Sequence, residues 1–284
     1  MNKIGFMQGR LCPMVNNQIQ AFPFNNWESE FPLANKLRLS CVEWTLDYPN
    51  LRINPFLQNE TKNKILRIAN KYEIAIPSIT LDCCMQKPFW KEINQKSYNE
   101  LLEDFNLIIK SAGQLESKIL VLPLVDNGSI NNIHQIDILK KTFDMISDQL
   151  EKYGLKIAIE SDLPPFKLRK FINNFDSKFI GINYDSGNSA SLGYDSDVEF
   201  CEYGNRILNL HIKDRTLGGN TVRLGKGNTD FKKLFKNIKN SNYEGNFILQ
   251  TARGKDNKDF EELKINLSFL KKFDHDSFNN LNLQ

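Results

Sequence analysis

The 284-residue sequence has no apolar run close to the roughly 18 residues that a membrane span requires, so no transmembrane helix is expected. It has no CxxC pair. Its five cysteines are an odd number and include the adjacent Cys83 and Cys84, a pattern that fits a reducing compartment better than a disulfide framework. It has little net charge: 37 Lys and Arg against 34 Asp and Glu leave +3, too small an excess for a protein that grips nucleic acid. Histidine is scarce as well, and His134, His211 and His275 are too few for a histidine-rich multinuclear metal site. The opening residues MNKIGFMQGR lack the basic-then-apolar layout of a secretory leader, which gives a cytoplasmic protein as the reading. No low-complexity linker or break in composition marks a second domain.

What the chain does have is alternation. Short apolar runs rich in β-formers recur at 3–8 (KIGFMQ), 41–46 (CVEWTL), 75–81 (AIPSITL), 118–125 (KILVLPLV), 156–161 (KIAIES), 179–185 (FIGINYD), 207–213 (ILNLHIK) and 246–252 (NFILQTA). They are apolar along most of their length, as parallel strands covered on both faces are. Between them lie stretches of helical period, such as 59–73, 99–116 and 137–154, with a stop at Tyr153-Gly154 and an N-cap candidate at Asp230. Eight strand-then-helix units predict a single (β/α)₈ TIM barrel over 1–273, with a doubly wound sheet as the alternative. The segment 274–284 has little to bury and is expected to fray. Long connections at 9–27 and 214–229 are of the kind that shapes a barrel's active site.

Polar residues at the C-terminal ends of barrel strands converge on one mouth. Here strand five ends in Glu160 and strand six in Asp185, strand seven carries His211, and strand eight carries Gln250. Two carboxylates, an imidazole and an amide oxygen are a plausible donor set for Mn²⁺, Mg²⁺, Co²⁺ or Zn²⁺.

The segments IAIESD, NYDSGN, LHIKD followed by LGKGNTDF, and the opening IGFMQGRL together resemble the xylose isomerase-like barrel family of sugar isomerases, ketose 3-epimerases and sugar-phosphate epimerases. The resemblance covers nearly the whole chain. It implies a metal held by Glu, Asp, His and a second Glu at the ends of strands five to eight, which here are Glu160, Asp185, His211 and, departing from the pattern, Gln250. It also implies enediolate chemistry, with a carboxylate moving a carbon-bound proton beside a metal-polarised carbonyl.

Gln250 can donate an oxygen but cannot exchange a proton, so epimerisation shared between Glu160 and residue 250 is excluded. A one-base isomerisation through Glu160, an epimerisation that recruits Glu43, Asp82 or the Cys83-Cys84 pair, and a β-elimination of the dehydratase type remain open. So does a non-catalytic sugar-binding barrel. Glu43 reads equally as a strand-end residue satisfied by the protein, and the cysteines read better as packing. Arg10, Lys213, Arg215, Arg223, Lys226 and Arg253 put positive charge around the mouth, which favours a phosphorylated or acidic sugar as the substrate. Glycines at 217–228 could offer N–H groups to a phosphate, and the aromatics of AFPFNNW (21–27) could either stack on a sugar or pin their loop to the barrel. A homodimer is compatible with a barrel of this size; no nucleic acid or membrane partner is expected.

Overall fold

The computed structural model describes residues 3–274 and 281. The chain alternates strands and helices: β1 Ile4–Met7, α1 Trp27–Lys36, β2 Cys41–Thr45, α2 Asn59–Tyr72, β3 Ala75–Thr80, α3 Asp82–Gln86, α4 Gln95–Gln114, β4 Ile119–Leu124, α5 Ile133–Tyr153 and β5 Lys156–Ser161. It continues with α6 Pro165–Ile172, β6 Ile180–Asp185, α7 Ser186–Leu192, α8 Ser196–Tyr203, β7 Ile207–Ile212, α9 Phe231–Asn240, β8 Phe247–Leu249 and α10 Asp259–Leu270. The strands close in sequence order, β8 returning to β1, and every pairing is parallel. This is the (β/α)₈ barrel that the sequence predicts, not the doubly wound sheet. All eight expected strands are present, and β8 is shorter than its apolar run, so Gln250 stands just beyond the strand.

Burial explains the apolar runs. β1, β2 and β6 are buried at every position, one face against the barrel interior and the other under the helices. The helix ends follow the local chemistry. Asn94 accepts from the Lys96 and Ser97 N–H groups at the start of α4, and Asp230 caps α9 through the Lys233 N–H. Gly154 ends α5 at a φ of 63°.

The long connection after β1 is pinned down. Phe22 and Trp27 each pack on Trp44 at 5.4 Å, and Trp44 meets Phe56 at 5.5 Å. Phe22 and Trp27 are buried, so of the two roles open to AFPFNNW these two rings anchor the loop. Glu30, also buried, accepts from the Gly9 and Leu11 N–H groups and ties the same loop to α1. Among the described residues no helix is long and apolar enough to cross a membrane. The tail expected to fray lies outside the described residues apart from Asp274 and Leu281, and Leu281 is buried against the core.

Candidate functional site

Strand register builds the site. In the β6–β7 ladder Asp185 is the partner of His211, and Glu160 lies on the neighbouring β5, so three side chains project into the mouth from consecutive strands. One donor atom from each of Glu160, Asp185 and His211 lies within 4.8 Å of the other two. His211 Nδ1 is 3.3 Å from Glu160 Oε2 and 3.9 Å from Asp185 Oδ2.

The far side of the imidazole is held by Glu43, whose Oε1 is 2.8 Å from His211 Nε2. Glu43 is completely buried, and its other oxygen accepts from Ser78 Oγ at 2.7 Å and Asn209 Nδ2 at 2.8 Å. Both carboxylate oxygens therefore serve the barrel interior, the satisfied reading of Glu43 left open by the sequence. When the ring is neutral, Nε2–H is donated to Glu43 and the Nδ1 lone pair faces Glu160 and Asp185. Without an ion in place, burial would lower the His211 pKa, but the carboxylates of Glu43 and Glu160 outweigh it and raise the pKa to about 10. Burial opposes ionisation of Glu160 too, yet the His211 hydrogen bond and charge and the Lys213 ammonium hold its pKa below the ordinary value.

Amides orient the carboxylates. Glu160 Oε2 accepts from Asn183 Nδ2 at 2.8 Å and Oε1 from Asn188 Nδ2 at 2.7 Å. Asp185 spends Oδ1 on the Gly187 and Asn188 N–H groups as the N-cap of α7, leaving Oδ2 toward the mouth. Asn188 Oδ1 takes Lys213 Nζ at 3.3 Å and Arg215 NH1 at 2.8 Å, so one side chain links the base to two cations. Lys213 Nζ also lies 3.3 Å from Asp185 Oδ2 and 3.0 Å from Gln250 Oε1. The amide oxygen of Gln250 thus faces an ammonium group.

The donor set fits a divalent cation: two carboxylate oxygens with an imidazole nitrogen of fixed tautomer, buried and preassembled on rigid strands. Asn183, Asn188, Ser78 and Asn209 were not singled out from sequence. The available signal was polar residues inside otherwise apolar strands and the second Asn of NYDSGN.

The remaining cations stand elsewhere. Arg10 is buried, with its guanidinium on the Thr251 and Ile19 carbonyls at 2.9 and 2.8 Å. Arg253 binds the Gly9 and Cys12 carbonyls and pairs with Asp259 at 3.0 Å. Together they lash the loop after β1 to the end of β8. Arg223 makes a two-pronged pair with Glu262 on α10. In the glycine-rich loop the N–H groups of Gly225, Gly227 and Thr229 go to the fully buried Asp214, so these three are spent within the protein. A Cβ on Gly227 would lie 2.3 Å from Asp214 Oδ1, which is why this turn needs glycine. Asp82 opens α3 at the mouth, and Thr80 Oγ1 donates to its Oδ1 at 3.2 Å. A groove of about 960 Å³ lies outside the mouth, but Arg52 and Asp104 in its lining pair with each other at 2.7 Å, and it holds no comparable convergence of donors.

A family model described as xylose isomerase-like TIM barrel matches residues 31–273. A curated relative, an uncharacterized protein of Methanocaldococcus jannaschii, is 24% identical over 225 residues, 71% of this chain and 72% of its own. Among solved structures, D-psicose 3-epimerase of Clostridium cellulolyticum H10 with D-tagatose superposes with a TM-score of 0.73 at 12% identity, covering 95% of this chain and 99% of that one. An IolI protein with a bound zinc atom gives 0.72 at 16% identity over 95% and 99%. The 3-keto-D-glucoside 4-epimerase YcjR of E. coli gives 0.69 at 13% over 96% and 100%. These structural likenesses carry the fold, and the family model, spanning most of the sequence, makes the chain a member of the xylose isomerase-like TIM barrel family.

Proposed function

We propose that this protein is a divalent-metal-dependent isomerase or epimerase of a small sugar bearing a phosphate or carboxylate, with Glu160 as the base. The observation that carries the reading is the preassembled triad of Glu160, Asp185 and His211, with Glu43 fixing the imidazole from behind. Epimerases and a zinc-bound barrel among the structural neighbours agree with it. Glu160, Asp185 and His211 would hold the ion, and Gln250, at the fourth position, shares its oxygen with Lys213.

A bound divalent ion supplies Lewis-acid polarisation of a carbonyl and a neighbouring hydroxyl. The protein's own residues do the rest. The two amide donors of Glu160 fix where its oxygens point, as a base must be positioned. Lys213 is paired with Asp185, while Arg215 rests on the neutral Asn188 Oδ1 and the Gly219 carbonyl, so the net positive charge left at the rim to attract an anionic group is that of Arg215.

The test is solvent exchange. Metal-loaded protein in D₂O is offered D-tagatose, D-psicose, D-fructose and their 6-phosphates, and label is read by NMR. Metal-dependent deuterium uptake at one carbon is expected, faster for the phosphates, and at least a thousandfold slower in Glu160→Gln. Uptake that persists in Glu160→Gln assigns the base elsewhere, and an elimination product in place of exchange makes the protein a dehydratase.

A further inference from the structure

A base on one face of the substrate can shuttle a proton, but inverting a carbon requires a second group on the other face. Residue 250, where the family pattern has a carboxylate, is an amide here. Of the other groups at the strand ends, Glu43 is sealed beneath His211 with both oxygens engaged. Cys83 and Cys84 face away from the mouth, into apolar packing with Leu51, Phe89 and Phe105, and burial pushes the Cys83 thiol well up.

Asp82 is differently placed. It follows β3 directly, and its Oδ1 is steadied by Thr80. Its surroundings are Arg10 from the loop after β1, Asp47 and Glu43 from β2 and its end, and Glu160 from β5. It stands at the end of β3, two strands from Glu160 on β5, with β4 between them. We infer that Asp82 is the second acid/base of this site, exchanging a proton with the substrate on the face turned away from Glu160.

This inference rests on the isomerase or epimerase reading and narrows it to epimerisation. Glu160 takes the proton from the carbon beside the carbonyl; the C–H electron pair becomes the C=C bond of an enediolate and the carbonyl π pair moves onto oxygen. Asp82 then gives its proton to the same carbon from the other side; the C=C pair forms the new C–H bond and the carbonyl returns. One proton leaves and one arrives, with Glu160 left protonated and Asp82 ionised until the reverse reaction or exchange with water resets them. The acid form of Asp82 is available near neutrality because burial, then Asp47, Glu160 and Glu43, raise its pKa to about 7 against the opposing pull of the Thr80 hydroxyl. Arg10, whose guanidinium rests on the Thr251 and Ile19 carbonyls, is the nearby cation whose charge opposes this.

Two measurements test the inference. With D-tagatose, D-psicose and their 6-phosphates in D₂O, Asp82→Asn is expected to lose epimer formation by at least a hundredfold while Glu160-dependent deuterium uptake with retention continues, and Asp82→Glu is expected to recover part of the inversion. Epimer formation at the wild-type rate in Asp82→Asn overturns the role of Asp82 and leaves the base assignment standing. Absence of any exchange in the wild type overturns both. Independently of turnover, ¹³C-carboxyl NMR of aspartate-labelled protein is expected to show one resonance titrating near pH 7 that vanishes in Asp82→Asn. A midpoint near pH 4 refutes the inference.

Discussion

Replacing Glu43 by Gln tests how the buried side of the site controls the open side. Glu43 accepts three hydrogen bonds, from Ser78 and Asn209 on one oxygen and from His211 on the other. A glutamine can keep an acceptor at only one of the two positions. With its NH₂ toward His211, the imidazole must give up the Nε2 proton and carry it on Nδ1, where it blocks the ligand atom. With its NH₂ toward Asn209, two donors meet in a fully buried space unless the Asn209 amide turns over, and turning it over strips Asn183 Oδ1 of its donor. An unmet buried hydrogen bond costs about 1–3 kcal/mol. Partners that orient metal-ligating histidines typically contribute 10–100-fold to affinity, or about 1.4–2.8 kcal/mol. Glu43→Gln is therefore expected to weaken Zn²⁺ and Mn²⁺ binding 10–100-fold, read by calorimetric titration of chelator-stripped protein. The melting temperature should fall by roughly 4–8 °C for a loss of about 2 kcal/mol. A cooperatively folded variant that binds metal within twofold of the wild type refutes the argument that Glu43 sets the tautomer.

Three further outcomes follow from the same geometry. Glu30→Ala strips buried Gly9 and Leu11 N–H groups of their acceptor and should cost about 3 kcal/mol in urea unfolding, with faster hydrogen exchange confined to the loop after β1. Gln250→Glu places a carboxylate 3.0 Å from Lys213 Nζ if it keeps the same geometry, and should tighten divalent-metal binding about tenfold while weakening binding of anionic sugars; unchanged metal affinity would separate residue 250 from the ion. Gly227→Ala forces a Cβ against Asp214 and the Arg215 carbonyl, and should destabilise by about 1–3 kcal/mol while leaving metal affinity intact.

The loops show where reading the sequence ends. Arg10 and Arg253 are cations directly after strand ends, which in sequence is the mark of an anion site, yet both guanidinium groups lie on carbonyls of neighbouring loops. The glycines of LGKGN resemble a phosphate cradle, but the buried Asp214 takes three N–H groups of that turn. A side chain's partner across a loop depends on how the two connections fold over each other, and neither hydrophobic period nor spacing encodes that. Asn183, Asn188 and Asn209 escaped notice because a single amide in an apolar strand has no distinctive pattern until the barrel closes around it.

The sequence alone determined the eight strands, their parallel order and the triad, because doubly covered strands must be apolar along their length and inward polar residues at their ends have only the mouth to face. The tertiary structure alone decided which charges are free. The Glu43–His211 bond across the barrel interior from β2 to β7 sets the imidazole, and the lashing of the first loop engages two arginines. The packing of α7 beside β7 gathers Lys213 and Arg215 onto Asn188. Those pairings join residues as far as 244 positions apart. Their strength comes from distance and burial, which exist only once the chain has folded.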